Sequence, residues 1–494
     1  MEKQNSYTHI LKYTGLFGWV QGLNILVGLV RNKLVALILG TMGMGLLALY
    51  SSTIKLVGDS TNLGLSISAV RDISAAFESG DVRRLERRIA VFRHWCLLTA
   101  LFGFLVCLVM APLLGRWTFS TGDHTLHFML LAPVVGFTTF STGELAILKA
   151  TRHLQAVAVS SVYVAVATLL LSVPIYYFFG NSGIVPSLAM VTLAQMLIVM
   201  RFSLHAYPMR LSMNRSLLRE GYGFVGLGLA FVFAGMAASG AEMGIRAFLN
   251  RAGGIDVVGL YNAAYVMIFT YAGMIFTAME TDYYPRLSSI GRLGSEFNAV
   301  VNTQIEVSLH LVSPLLVVFI MAMPLLLPAM YSGKFMPVLP MMQVAALSMY
   351  ARAMYLPIEY ISLSRGDSLT YLFMESLAAA LLVCGVVVGF NVFGLWGAGL
   401  GITVAAFTEF VFVAVFYRLR YGYAMSTPLL LTIATHVAIG FCVYVSTLIE
   451  RWWIGYMLGT VLFVVDLCYT LNVLRKNTDI VDKIRKKLKI KRRG

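Results

Sequence analysis

The chain has 494 residues, 59% of them apolar or aromatic and only 12% charged, with a mean hydropathy of +0.79. Soluble domains carry about 25% charged residues, so composition excludes a water-soluble enzyme of this length. The net charge of +15 falls mostly in loops and a C-terminal tail, the pattern of the cytoplasmic side of membrane proteins. No nucleic-acid partner is inferred from it.

Apolar runs of about twenty residues recur along the chain, enough to cross roughly 30 Å of hydrocarbon. The ten-residue alternation of an outer-membrane barrel is absent. The pattern predicts an all-α polytopic protein with about fourteen transmembrane helices. They fall near 13–39, 42–69, 95–115, 126–148, 157–179, 184–205, 224–249, 257–281, 305–330, 338–362, 369–390, 394–416, 427–448 and 453–474. Residues 1–12 are polar and lead into an apolar stretch too long for a signal h-region, which reads as an uncleaved first span. Gly-, Asn- or Pro-containing junctions at 40–43, 180–184 and 391–394 predict tight hairpins.

Twenty-eight of the 38 Lys and Arg residues fall in loops and tails on the side of the N-terminus, and four on the other. The first group includes Arg83, Arg84, Arg87, Arg88 and Arg93, and also Arg210, Arg215 and Arg219. This asymmetry predicts an even number of spans with both termini in the cytoplasm. The basic tail from Arg475 reads either as a positive-inside anchor or as a patch that attracts anionic lipid headgroups. The five cysteines lie singly in apolar segments, so neither a disulfide framework nor a metal site is expected. No Walker A sequence and no long loop occurs, so no ATPase, inserted catalytic domain or cofactor is expected.

Sliding the sequence by 215 residues aligns Arg31 with Arg246, Tyr50 with Tyr265, Gly58 with Gly273 and Arg71 with Arg286, and brings Gly45 within one residue of Gly259. The shift maps spans 1 and 2 onto spans 7 and 8, as in transporters built from repeats. The expected organisation is an N-terminal lobe over 1–222 and a second over 223–420. An appended helix pair over 421–474 and a basic cytoplasmic tail over 475–494 follow.

A charge at the bilayer centre costs at least about 2.5–3.5 kcal/mol, so each is a functional hypothesis. Arg31 and Lys33 lie in the outer half of span 1, Lys55 in mid-span 2, Arg246 in span 7 and Arg352 in mid-span 10. They either snorkel to the interface or line a basic cavity that holds an anionic headgroup, a task suited to the planar guanidinium fork. Lys55 with Asp59, and Glu242 with Arg246, are spaced i,i+4 and can meet on one helix face. Each pair is either mutual neutralisation or, through Asp59 and Glu242, a proton or sodium site. With both pairs cancelled, Arg31, Lys33 and Arg352 would leave the cavity net basic. Glu359 shares a face with Arg352 near the cytoplasmic end, and Glu144, Glu306, Glu375 and Glu409 read as interfacial. Asp466 sits deeper, without an assigned role.

Asp123, His124 and His127 sit on a short outer loop without a fourth metal ligand, and no metal is expected there. His310 and His436 read as lone packing residues. Tyr261, Tyr265 and Tyr271 on span 8 could stack sugars or simply pack. Pro285 and Arg286, at the inner end of span 8, either serve a cytoplasmic gate or stop the helix and satisfy its last carbonyls. No catalytic residues are identified.

Two stretches point to a family. Leu29-Val30-Arg31-Asn32-Lys33-Leu34-Val35-Ala36, followed by Leu39-Gly40, Gly43 and Gly45, resembles the first hairpin of polysaccharide flippases. Gly259-Leu260-Tyr261-Asn262-Ala263-Ala264-Tyr265, closing with Asp282-Tyr283-Tyr284-Pro285-Arg286-Leu287-Ser288, resembles the start of their second lobe. These flippases belong to the multidrug/oligosaccharidyl-lipid/polysaccharide exporter superfamily, and the resemblance covers essentially the whole chain in span count and lobe order. It implies two pseudo-symmetric six-helix lobes in a V that opens alternately to either side. The implied substrate is a polyprenyl-diphosphate-linked oligosaccharide of O-antigen, lipopolysaccharide or capsule type, moved from the cytoplasmic to the outer leaflet. Polysaccharide polymerase and glycosyltransferases are the implied protein partners. In related flippases of lipid-linked precursors a span 1 arginine faces the central cavity, and Arg31 is the position that matches. Helices after the twelfth can line a groove for the lipid tail, the place that spans 13–14 would take.

Two rivals stand beside this reading. A drug or metabolite cation antiporter of the same superfamily would need a cavity dominated by carboxylates. A membrane enzyme that polymerises or modifies lipid-linked sugars would need a large outer loop or an interfacial His/acid centre.

Overall fold

A computed structural model describes residues 2–119, 122–208 and 222–477. Arg210, Arg215, Arg219 and the tail beyond Asn477 lie outside the described residues. Among those described, every regular element is a helix and none is a strand.

The elements in order are α1 (Glu2–Thr61), α2 (Leu65–Glu78), α3 (Val82–Thr118), α4 (Thr125–Ala150), α5 (Leu154–Phe179), α6 (Ile184–Ala206), α7 (Tyr222–Gly253) and α8 (Ile255–Tyr265). There follow α9 (Met274–Ser289), α10 (Ser295–Met330), α11 (Leu339–Ala346), α12 (Ser348–Ser364), α13 (Ser368–Tyr421), α14 (Thr427–Thr447) and α15 (Trp452–Asn477). Eight helical stretches among the described residues are long and apolar enough to cross a membrane. Three of them, Gly22–Thr61, Leu154–Ala206 and Ser368–Tyr421, run to 40, 53 and 54 residues, too long for one crossing at 1.5 Å per residue.

Each of the three is broken by a glycine at positive φ: Gly40 (66°), Gly180 (55°) and Gly394 (61°). In α13 the chain folds back on itself. Gly389 stands against Gly397, and Gly385 against Gly401, so close that an added Cβ would overlap the facing carbonyl. Only residues without a side chain allow two helices to approach that far. In α1 the same signature appears, since a Cβ on Gly43 would collide with the Cβ of Leu39 one turn back. A 3-10 turn over Gly180–Gly183 joins α5 to α6.

The chain divides into two compact units, one of residues 1–263 with Pro328–Phe335 and one of Ala264–Leu327 with residues 336–494. In the first, α3 packs on α4, α4 on α6, and α1 on both α5 and α7. One buried cluster of its core gathers Ile73, Phe92, Cys96, Phe140 and Ile147. Helix α7, and α8 as far as Ala263, which open the second expected lobe, fall in this unit. In the second unit α12 packs on α13, α11 on α13, and α14 on α15. A π-helical segment, Val266–Ala272, separates α8 from α9. Such segments mark local departures from regular helix that are common at functional sites.

Candidate functional site

In the first unit the second leg of α1 carries Lys55 and Asp59 on the wall of a cavity of about 530 Å³. The rest of the wall is mainly apolar, with hydroxyl and amide groups from Ser51, Asn62, Thr99, Thr138, Thr142 and Thr192 set into it. A mainly apolar wall with a few neutral hydrogen-bonding groups can hold an amphipathic ligand, and the two charges sit one helical turn apart.

Lys55 does not close on Asp59. Its Nζ donates to Glu242 Oε1 on α7 at 2.9 Å. Glu242 in turn receives Arg246 Nη1 at 3.4 Å, and Arg246 Nη2 donates to Asn262 Oδ1 on α8 at 3.1 Å. Glu242 is therefore shared by two cations from two helices. Asp59 faces α7 instead, where a Cβ on Gly235 would come within 3.9 Å of its own. The expected i,i+4 pairing holds for Glu242–Arg246 but not for Lys55–Asp59. The helix-to-helix partner lies closer to Lys55 than its neighbour along the helix does.

Arg31 and Lys33 occupy the first leg of α1 and do not line this cavity. Lys33 Nζ donates to the Pro328 carbonyl at 2.5 Å. The buried Nε of Arg31 has no hydrogen-bond partner.

Arg352 belongs to the second unit, on α12. Its guanidinium stands over the Phe276 ring at 5.6 Å and within electrostatic reach of Glu359, Glu375 and Glu409. The cation that the sequence reading leaves over thus has three acidic neighbours. The α13 hairpin packs against α12 and brings one carboxylate from each leg to a third on α12 itself. Glu409 is buried rather than interfacial.

Pro285 does not stop its helix, because α9 continues to Ser289. Arg286 is exposed and reaches Gln304 on α10 at 3.3 Å rather than terminal carbonyls. Nearby, the Tyr283 hydroxyl donates to the Pro357 carbonyl at 2.8 Å.

Three arrangements were not legible as sites. Arg93, counted with a basic loop, is buried and makes a two-pronged pair with Glu144 at 2.8 and 2.9 Å, with Ser203 donating to the same carboxylate. His310 and His436 are not lone histidines, since they bond each other and His436 also bonds Asp466. Between α3 and α4 His124 stacks on Phe119 at 3.7 Å between ring centroids and meets the Tyr50 hydroxyl at 3.0 Å. No metal-binding group of three or more His, Cys, Asp or Glu occurs among the described residues. Tyr261 is buried and Tyr265 packs on Phe269 at 4.6 Å; the Tyr271 side chain lies outside the described residues.

A family model described as "Polysaccharide biosynthesis protein" matches residues 86–340. No curated protein matches the sequence. Among solved structures, the chain is similar to the lipid II flippase MurJ in an inward closed conformation, at 11% identity and TM-score 0.60, over 93% of this chain and 99% of that one. It is also similar to the MATE multidrug transporter DinF-BH, at 17% identity and TM-score 0.61, over 84% and 96%. A third is a MOP superfamily transporter from Pyrococcus furiosus described by the reversed polarity of its binding pocket, at 14% identity and TM-score 0.57, over 83% and 96%. These likenesses establish the fold: the chain is a multi-pass membrane protein built as the transporters of that superfamily are.

Proposed function

Because the chain belongs to the polysaccharide biosynthesis protein family, we propose that it is a flippase for a polyprenyl-diphosphate-linked oligosaccharide. It moves the repeat unit from the cytoplasmic to the outer leaflet of a bacterial inner membrane by alternating access of two six-helix lobes. The appended pair α14–α15 and a cytoplasmic tail that meets anionic lipids complete it. The product serves O-antigen, lipopolysaccharide or capsule assembly, with polymerase and glycosyltransferases as the neighbouring enzymes.

The observation that carries this reading is the Lys55–Glu242–Arg246 chain, beside a cavity whose mainly apolar wall is set with hydroxyl and amide groups. The sugars of such a substrate need hydrogen-bonding walls, and its diphosphate needs cations. Two cations sharing one carboxylate can be claimed by an arriving dianion, which displaces Glu242 and joins both at once. The prenyl chain stays in lipid throughout. With the cytoplasm negative, outward movement of a dianion is favoured by roughly 4–5 kcal/mol per 100 mV, taking 2.3 per charge. Arg31 and Lys33 extend the basic side along α1. Arg286 and Pro285 serve the cytoplasmic gate.

The carboxylates around Arg352 favour one second reading, a cation antiporter of the same superfamily. The deciding experiment is the leaflet distribution of the lipid-linked saccharide pool in cells lacking the protein, read with a membrane-impermeant probe. Completed units trapped on the cytoplasmic leaflet establish the flippase. Units that reach the outer leaflet but stay unpolymerised point to an enzyme. An unchanged pool with altered sensitivity to toxic cations establishes the antiporter.

A further inference from the structure

In the second unit, a continuous line of titratable groups crosses three helices. Asp466 on α15 is fully buried. Its Oδ1 lies 2.7 Å from His436 Nδ1 on α14, and its Oδ2 receives the Ser313 hydroxyl of α10 at 2.8 Å. The other ring nitrogen of His436, Nε2, lies 2.9 Å from His310 Nδ1 on α10. The far nitrogen of His310, Nε2, is buried and has no hydrogen-bond partner. It points toward Glu306 Oε1, one turn away at 3.8 Å, and the Glu306 side chain is 32% exposed. The titratable groups facing this line are Tyr350 from α12, whose hydroxyl lies 3.2 Å from Ser313 Oγ, and Tyr469 from α15, whose ring packs against both histidines.

Proton counting fixes what this line can do. Between two imidazole nitrogens at hydrogen-bond distance there is room for one proton. With Asp466 ionised and both histidines neutral, His436 donates from Nδ1 to Asp466, and its Nε2 accepts from His310 Nδ1. That leaves His310 Nε2 with a bare lone pair, which agrees with its lack of a partner. Asp466 then carries a buried negative charge with no cation beside it, a costly arrangement in a low-dielectric interior.

We propose that Glu306, His310, His436 and Asp466 form a one-proton binding site, loaded through Glu306, whose occupancy is coupled to the transport cycle. In loading, an N–H bond forms at His310 Nε2 as the O–H bond of protonated Glu306 breaks, and Glu306 later regains its proton from water. The Nδ1 proton of His310 crosses to His436 Nε2. His310 is again neutral, now protonated at Nε2, and His436 becomes an imidazolium paired with Asp466. One proton enters and the His436–Asp466 pair becomes neutral overall. The mechanical link is short: Asp466 reaches α12 through Ser313 and Tyr350, and Arg352 lies two residues further along that helix. This inference deepens the transporter reading by naming its coupling ion, and it does not depend on the cargo.

The test uses the full-length protein, labelled with 15N-imidazole histidine, in phospholipid vesicles between pH 5 and 9. His310→Gln and His436→Gln assign the two rings by solid-state NMR. The wild type should show the two rings titrating with one shared midpoint, and Asp466→Asn should lower the His436 midpoint by at least one pH unit. Rings that keep one neutral tautomer throughout, or that titrate independently and ignore Asp466→Asn, overturn the site. Coupling is read by hydrogen–deuterium exchange of wild-type α1 and α8, corrected for intrinsic pH dependence. Exchange should change at the histidine midpoint and lose that change in Asp466→Asn; exchange indifferent to the midpoint overturns the coupling. Both readouts are free of substrate, so a failure of the flippase reading would show in the leaflet assay alone.

Discussion

Gly45 and Gly259 meet backbone to backbone where the second leg of α1 crosses α8. A Cβ built on Gly45 would stand 3.1 Å from the Gly259 nitrogen and overlap the Ile255 carbonyl, and one built on Gly259 would overlap the Thr41 carbonyl. The Thr41 hydroxyl bonds the Asp256 carboxylate beside this crossing. These are also the two glycines that the 215-residue echo sets one residue apart, so the repeat-related positions pack on each other. Gly259→Ala should destabilise the fold by about 1–3 kcal/mol through overpacking, read as a lower melting temperature in detergent. Gly58→Ala, with nothing within 4 Å of an added Cβ, is the matched control and should not lower it. Equal melting of the two variants would mean that the crossing opens freely.

The shared carboxylate of Glu242 separates two roles for Lys55. If Lys55 receives the substrate anion, Lys55→Ala removes a charge-assisted hydrogen bond and should reduce export by about tenfold or more. Glu242→Gln leaves both cations in place and should reduce it by a smaller factor. Export measured as outer-leaflet lipid-linked saccharide, normalised to folded protein, distinguishes them. Equal losses would assign Lys55 to a purely structural latch.

What could be read from the sequence followed local rules. Hairpins punctuated by Gly40, Gly180 and Gly394 were visible because a positive φ needs glycine, and the apolar runs announced themselves by length. Partners remote in sequence were not visible. Lys55 and Glu242 are 187 residues apart, and His310 and His436 are 126 apart. Spacing rules reach only one turn along a helix, so they offer Lys55 no partner but Asp59 and leave the two histidines reading as lone packing residues. The π-helical segment at Val266–Ala272 has no composition of its own, and Pro285 sits inside a helix because packing tolerates the lost bond.

Arg93 and Glu144 illustrate the same limit and yield a stability prediction. Both side chains are almost fully buried, at 4% and 1% exposure. Arg93 also donates to the Tyr207 carbonyl at 2.8 Å, so one guanidinium ties α3 to α4 and to the chain just after α6. Removing one partner strands a buried charge, which costs about 3–5 kcal/mol. Arg93→Met and Glu144→Leu should each lower the melting temperature sharply. The double variant should recover much of the loss, because two apolar side chains leave no charge unpaired. Additive losses in that cycle would show that the backbone contacts of Arg93, not the ion pair, hold the three helices.

Asp367 gives the pH-dependent case outside the membrane. It caps α13, accepting from the Thr370 amide at 3.1 Å and hydroxyl at 2.8 Å. It also accepts from the far end of the same hairpin, Tyr421 at 2.7 Å and Arg420 at 3.2 Å. Burial raises its pKa, but the bonds from Tyr421, Thr370 and Arg420 prevail and hold it at about 2. An unfolded aspartate titrates near 3.9. Because the folded value is the lower one, the contribution to stability is complete above about pH 4 and disappears as the pH falls through 2. Asp367→Asn keeps a side chain that can cap the helix but removes the charge that Tyr421 and Arg420 bond, so it should melt below the wild type at neutral pH, by about 1–2 kcal/mol. The gap between the two should narrow steadily from pH 4 to pH 2. A gap that stays constant over that range would mean that the carboxylate's charge contributes nothing and only its shape caps the helix.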